Sequence, residues 1–472
     1  MKFGDFLITE ADEQLSRWKE YVSSIPMLKA AVKVMQKINS KGYLAYAVGG
    51  AVRDLVIGNP IHDIDIASNC PVEELGKIFG KTYDIGKSKT FGIVIVKEGG
   101  HTFEVAHFRE DGKYSDGRRP DSVKIVIDFM QDASRRDFTI NAMGVDAQGN
   151  IIDYFDGRKD IRNKVIKTVG NPKDRFEEDY LRMLRVARFS SKLDFDVDPD
   201  TKQAVKDLAS NVTKLAPERV KDEIWKAASQ SGDKFAKYLT FLDEVGILEI
   251  ILPEITKLKG MEHQPHHHPE APDVWGHVLA ALKANKLKDP LINIAILLHD
   301  IGKGITASTG KKGYTIYYKH AEEGIKLIND IADRLKLSNA ERDTLIYAVG
   351  NHMKFFHILH MKPSKVAKLI TDGDFDVLTA VAKADEFCRG ALSMSPDEFD
   401  KIVSAAIEIK DKYGMNGVTK TLKLVDGNHV MKLLNLKPSK QVGDIIKKTT
   451  EWIVDNGISS QEEIDKYIMG LK

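Results

Sequence analysis

Between residues 28 and 169, short apolar runs alternate with polar punctuation. "YLAYAV", "DIDIAS", "FGIVIV", "TFEVAHF" and "VKIVID" are rich in Val, Ile, Phe and Tyr and are separated by Gly, Asp and Pro. That pattern predicts short strands of one sheet, with helical stretches between them. After "KTVGNP" the period changes. From Asp174 onward the spacing is helical and strand signals nearly vanish. "LINIAILL", ahead of His299, predicts a buried helix. "LKGMEHQPHHHPEAP" predicts a His- and Pro-rich linker, and "KIVSAAIEIKDKYG" onward a Lys-rich helical tail. Met1 to Ile25 is polar and helical in pattern. The expected architecture is α+β: a head with one mixed sheet, then all-helical segments.

The chain has 472 residues, which points to about three domains. With 42% hydrophobic and 29% charged residues it has the composition of a soluble globular protein. The formal net charge is +1, so any surface for nucleic acid is a local basic patch balanced by acid elsewhere. Cys70 and Cys388 are the only cysteines, which suits a reducing, cytoplasmic setting and excludes a disulfide framework. No apolar run approaches the roughly 20 residues that span a bilayer, and the first residues lack a signal-peptide pattern.

"AYAVGGAVRDLVIGNPIHDIDIA" carries the first candidate chemistry. Gly49 and Gly50 end a strand and open a helix, where backbone N–H groups approach a phosphate closely; Arg53 lies one turn in. On a strand, Asp63 and Asp65 point to one face while Ile64 and Ile66 point to the other. Two converging carboxylates suit Mg²⁺ carrying a triphosphate; a solvated acidic strand end is the alternative. In "RRDFTINAM", Arg136 can fork onto phosphate, and Asp137 and Asn141, four apart, can face a ribose from one side of a helix. In "FEEDYLRMLRVARFSSKL", Asp179, Arg182, Arg185 and Arg188 sit three apart as one helical stripe, with Leu181, Leu184, Val186 and Phe189 on the buried side. An Asp beside an Arg matches the pairing edge of cytosine or adenine and leaves uracil and guanine unpaired. A salt-bridged surface helix would show the same stripe.

"GGAVRD…DIDIA", "RRDFTINAM", "DYFDGRKDI", "EEDYLRMLRVARF" and "PERVKDEIWK" occur in an order that resembles the class II tRNA nucleotidyltransferase and poly(A) polymerase family. "HFREDGKYSDGRRPDSVKIV" resembles that family's flexible loop. The likeness covers about Ala45 to Ala228. It implies a nucleotidyltransferase-fold head, a helical neck that selects the base and a helical body that holds tRNA. It implies that Gly50 and Arg53 bind the triphosphate and that Asp63 and Asp65 bind Mg²⁺. Arg136, Asp179, Arg182, Arg185 and Arg188 would bind CTP or ATP; Glu104, on a neighbouring candidate strand, is a candidate third carboxylate for the metal, with a cross-strand salt bridge as the alternative. A tRNA 3′-hydroxyl would attack the α-phosphate to build a CCA end. The tail "NLKPSKQVGDIIKKTTEWIVDNG" also resembles this family and offers Lys437, Lys440, Lys447 and Lys448 as RNA contacts.

"DVWGHVLAALK", "LLHDIGKG", "YYKHAEEG", "AVGNHMKFF" and "VAKADEF" carry His277, His299, Asp300, His320, His352 and Asp385. Such ligands suit Mn, Fe, Co, Ni or Zn. The order resembles the HD phosphohydrolase superfamily, which implies His277, His299, Asp300 and Asp385 as core ligands. His320 and His352 would form a second metal position, and Lys303 would meet a substrate phosphate. "HHHPEAPD" departs from that pattern, with Ala271-Pro272 in place of Gly. The domains expected are an N-terminal extension (1–27), the head (28–169), neck and body (170–260), the HD domain (261–400) and the tail (401–472). A poly(A) polymerase, an HD hydrolase with a sensor head, and an RNA-binding module with vestigial sites are the alternatives.

Overall fold

The computed structural model describes residues 11–80, 92–112, 122–262, 271, 273–311, 313–413, 425–458 and 460–471. The middle of the expected flexible loop (113–121) and His266 to His268 lie outside them. The chain forms two compact units, Met1–Glu223 with Thr240–Ile251, and Ile224–Leu239 with Leu252–Lys472.

The first unit is built on a six-stranded mixed sheet. Its strands are β1 (Ala45–Val48), β2 (Asp65–Ser68), β3 (Ile93–Glu98), β4 (His101–His107), β7 (Gly144–Val145) and β8 (Ile151–Ile152). Their spatial order is β3-β4-β2-β1-β7-β8. Only β2 and β4 run parallel, with Ile66 level with Val105 and Ala67 with Ala106. That register puts Asp65 and Glu104 on one face, while Ile66, Phe103 and Val105 go into the core. β5 (Arg109–Asp111) and β6 (Val123–Ile125) form a separate hairpin, so "VKIVID" does not join the main sheet as its pattern suggested. The helix Pro26–Asn39 lays Leu28, Ala31, Val34, Met35 and Ile38 toward the interior. Trp18, on the helix Ala11–Ser24, is buried and its Nε1 donates to the Ala147 carbonyl, so the polar N-terminal segment is pinned by one large aromatic.

Among the described residues, the second unit is helical apart from one short hairpin, Ala307–Thr309 with Thr315–Tyr317. The hydropathy pattern does not show this hairpin, because three-residue strands carry too few positions to establish a period. "LINIAILL" is a buried helix, Pro290–Leu298, capped by Asp289. One core gathers Phe355, Leu378, Phe399 and Ala406; another, in the tail, gathers Val430, Leu434, Val442, Ile445 and Ile464. Among the described residues, no helix is long and apolar enough to cross a membrane.

Candidate nucleotide cleft and histidine–aspartate centre

The turn between β1 and the helix Gly50–Ile57 opens the first site. Gly49 has φ +70°, a left-handed conformation that side chains resist. A Cβ there would sit 3.3 Å from Arg136 Nη1. Gly49→Ala is therefore expected to lower stability by about 1–2 kcal/mol through backbone strain and to push Arg136 off its position. A melting curve and a CTP titration check both effects.

A cleft of about 590 Å³ extends from this turn, lined by Gly49, Gly50, Arg53, Asp65 and Arg136 on one side and by Asp179, Arg182, Arg185 and Arg188 on the other. Asp63 precedes β2 and Asp65 opens it; both are exposed, while Ile64 and Ile66 are buried. Partial desolvation and the charges of Asp63 and Glu104 raise the Asp65 carboxyl above its ordinary range, with Arg136 opposing. A cation held near Asp65 would relieve that repulsion.

The cleft floor is a network of guanidiniums. Arg53 is buried; it donates through Nη1 to Asn141 Oδ1 (2.7 Å) and through Nη2 to Asp54 Oδ2 (2.9 Å). Asn141 Nδ2 donates in turn to Asp137 Oδ1 (3.0 Å), whose other oxygen accepts from Arg185 Nε and Nη2 (2.9 and 2.6 Å). Burial pushes the Asp137 carboxyl up, but Arg185 and Asn141 outweigh it and hold it at about 2. Asp137 is thus an anion at neutral pH that fixes two cleft residues. Phe189 lies beneath the guanidiniums of Arg53, Arg185 and Arg188, its ring centre 5.0, 5.3 and 4.4 Å from their Cζ atoms.

Two expectations are corrected. Asp179 is not on a helical stripe with the arginines. It ends the helix Pro172–Glu178 in an extended conformation (φ −152°, ψ 104°), and the helix Leu181–Leu193 begins beyond it. Nor do Asp137 and Asn141 share an α-helix: only a 3₁₀ turn, Thr139–Asn141, forms there, and Asp137 precedes it. The chain bends at both places, and the bends aim these polar groups into the cleft. Leu181, expected on the buried side, is partly exposed and lines the cleft.

Of the residues that hold the arginines, Asp132 and Glu178 lie one helical turn from their partners, whereas Glu223 lies far along the chain. Asp132 is buried and pairs with Arg135 (2.7 Å) and Arg136 (2.9 Å). Glu223 is buried and accepts from Arg188 Nε (2.6 Å), and Arg219 Nη2 donates to Asp179 Oδ2 (2.8 Å). Arg182 donates to Glu178 and to the carbonyls of Arg175 and Arg135. "PERVKDEIWK" contains Arg219 and Glu223, but contacts 35 and 40 residues away in sequence have no local signature.

The second unit brings the six expected residues together. His277 lies on the helix Val274–Ala284; His299 and Asp300 end the buried helix Pro290–Leu298. His320 opens the helix His320–Leu335, His352 lies on Asn339–Phe355, and Asp385 on Phe375–Phe387. His277 Nε2 stands 3.2 Å from His299 Nε2, 3.0 Å from Asp385 Oδ1 and 3.6 Å from Asp300 Oδ2. His320 Nε2 stands 3.3 Å from His352 Nε2 and 3.4 Å from Asp300 Oδ1. Asp300 therefore faces one imidazole pair with each oxygen. His299, His320 and His352 donate their Nδ1–H to the carbonyls of Ile296, Tyr317 and Val349, which aims each Nε2 inward. Donors separated by about 3.0–3.4 Å are the edges of a coordination shell with bonds of about 2.1 Å, so the set fits a divalent metal. Burial pushes His299 down, but Asp300 and Asp385 prevail and raise it to about 9, a measure of the pull on any cation.

Gly302 makes this convergence possible. A Cβ there would lie 1.9 Å from the His320 carbonyl oxygen, so only glycine lets the two ligand segments meet. Lys303 Nζ is 2.7 Å from Asp300 Oδ2. Cys388, to which the sequence pattern gives no role, places Sγ 3.5 Å from His277 Nδ1. Lys437, Lys440, Lys447 and Lys448 are exposed or partly exposed.

Residues 45–167 match the poly A polymerase head domain, 194–259 the probable RNA and SrmB-binding site of polymerase A, and 276–390 the HD domain. The CCA-adding enzyme of Ligilactobacillus salivarius is 48% identical over 200 residues, 42% of this chain and 49% of that protein. The chain thus spans about half the length of that relative. The CCA-adding enzyme of Oceanobacillus iheyensis is 37% identical over 311 residues, 64% of this chain and 74% of that protein. The fold resembles the crystal structure of the Bacillus stearothermophilus CCA-adding enzyme in complex with CTP, with TM-score 0.67 and 26% identity over 94% of this chain and 98% of that one. By its sequence, its sheet and its guanidinium-lined cleft, this chain belongs to the family of CCA-adding enzymes.

Proposed function

We propose that this chain adds C, C and A to the 3′ end of tRNA from CTP and ATP, and that its HD centre hydrolyses phosphate esters at damaged RNA ends. The observation that carries the first half is the 590 Å³ cleft, where the Asp65 carboxylate and a guanidinium floor for phosphate open onto one space. Asp63, Asp65 and Glu104 would hold Mg²⁺. When bound, Mg²⁺ supplies activation of the 3′-hydroxyl and charge for the leaving pyrophosphate. The Gly49–Gly50 turn and Arg136 seat the triphosphate, and Arg53 braces Asn141 and Asp137 toward the ribose. Asp179 with Arg182, Arg185 and Arg188 reads the pairing edge; a wrong base leaves these groups unpaired, which is what selects against it. Catalysis here is positioning and charge neutralisation by groups already fixed through Asp132, Asp137 and Glu223.

In the HD centre, His277, His299, Asp300 and Asp385 would hold one transition metal, with His320 and His352 serving a second. Such metals activate water for attack on phosphorus. Lys303, whose Nζ stands 2.7 Å from Asp300 Oδ2, would take a substrate phosphate oxygen. We read 28–169 as the head, 170–260 as neck and body, 261–400 as the HD domain and 401–472 as an RNA-holding tail, and we place the protein in the cytoplasm.

A tRNA transcript lacking CCA, Mg²⁺ and each nucleotide singly or together provide the test. Two additions from CTP, then one from ATP and a halt, are the expected outcome. A long ladder from ATP alone would instead make this a poly(A) polymerase.

A further inference from the structure

We infer that Cys388 is a positioning residue of the histidine–aspartate centre: its sulfur accepts the Nδ1–H of His277 and so keeps Nε2 of that ring aimed at the metal. The inference rests on the metal-centre reading and gives a role to a side chain that the sequence pattern leaves without one. His277 is oriented differently from its three companions. His299, His320 and His352 each give Nδ1–H to a carbonyl three residues back on their own segment. The Nδ1 of His277 faces the Sγ of Cys388, 3.5 Å away and 111 residues along the chain.

One helix end holds both nitrogens of this ring. Asp385 lies in the last turn of the helix Phe375–Phe387, and Cys388 caps that helix. Three positions apart, the two residues are neighbours on one side of it. Asp385 Oδ1 stands 3.0 Å from His277 Nε2, while Cys388 Sγ takes the Nδ1 side. The thiol hydrogen has a different destination: Sγ donates to the Asp385 carbonyl oxygen at 3.0 Å. Its lone pairs are therefore left for an incoming N–H, so toward His277 the sulfur is an acceptor. An imidazole that ligates a metal through Nε2 carries its remaining proton on Nδ1, and an acceptor there fixes both tautomer and ring direction. Nε2 is the atom that faces His299, Asp300 and Asp385. Cys388 thus does for His277 what backbone carbonyls do for the other imidazoles. Because it stands on another helix, it also ties the direction of this ring to the packing of Phe375–Phe387 against Val274–Ala284, which are in contact.

The test uses the full chain, stripped of metal and titrated calorimetrically with Ni²⁺. Nucleotide addition to tRNA reports that each variant is folded. Cys388→Val fills similar space but offers no acceptor, whereas Cys388→Ser keeps a donor and an acceptor. The valine variant is expected to bind Ni²⁺ about tenfold more weakly, and the serine variant to stay close to wild-type affinity. Wild-type affinity in the valine variant, or equal losses in the two, would overturn the proposal. Loading with Co²⁺ gives a second readout. A positioning role predicts no sulfur-to-cobalt charge-transfer band in the wild-type spectrum. Such a band, lost in Cys388→Ser, would make Cys388 a ligand and overturn the proposal. The two readings fail separately. Wild-type protein that binds Ni²⁺ but hydrolyses no phosphate ester would overturn the hydrolytic reading only; protein that binds no Ni²⁺ would overturn both.

Discussion

Asp65→Ala is expected to cut nucleotide addition by about a thousandfold while leaving HD-centre hydrolysis at its wild-type rate. The size follows from the several kcal/mol that a correctly held metal contributes to a phosphoryl-type transition state. Asp65 is the middle member of the acidic cluster. Asp63 and Glu104 both act on its carboxyl, and Arg136 opposes them. It is also exposed at the start of β2, so its loss leaves the core intact. Single-turnover addition of CTP to a truncated tRNA measures the rate, and an unchanged melting temperature shows the fold. Retained addition would remove Asp65 from the metal site. Parallel loss of hydrolysis in a folded variant would mean that the two activities are not carried by separate centres.

Asp300→Asn is expected to abolish hydrolysis, by at least about a hundredfold, and to weaken transition-metal binding to a similar degree. Nucleotide addition should persist. Asp300 is buried, and its two oxygens face the His277–His299 pair and the His320–His352 pair. No neighbouring carboxylate among the described residues stands between both pairs, so its loss disrupts both positions. The amide is preferred to alanine because Lys303 Nζ lies 2.7 Å from Asp300 Oδ2. Removing the side chain would take an acceptor from the partly buried Lys303 ammonium and leave a void beside the imidazoles, and so confuse folding with function. Calorimetric titration with Ni²⁺ provides a readout independent of turnover. Wild-type affinity and rate in this variant would exclude Asp300 from the centre.

Much of both sites is legible in the order of residues along the chain. Gly49 and Gly50 and the adjacent His299–Asp300 are local patterns, each carried through one turn; of the acidic pair only Asp65 lies on β2, and Asp63 precedes the strand that the alternation predicted for both. Spacing misplaces Asp179 and Asp137 for the complementary reason. A three-residue interval matches a helical stripe, but a break in the helix between Glu178 and Leu181, and a 3₁₀ turn at Thr139, are set by tertiary packing and not by spacing. The hairpin between Asp300 and His320 leaves no pattern because its strands are too short to carry a period.

The one-dimensional chain determined which chemistry is present: two acidic residues one position apart, a run of arginines, and histidines with aspartates in a fixed order. Those are covalent facts, and local backbone geometry expresses them directly. The tertiary structure alone decided how each group is held. Asp137, Glu223 and Arg219 select the directions of Arg185, Arg188 and Asp179. Gly302 admits His320 to Asp300. Each of these depends on partners distant in sequence or on the space between packed elements, and such distances exist only once the chain has folded.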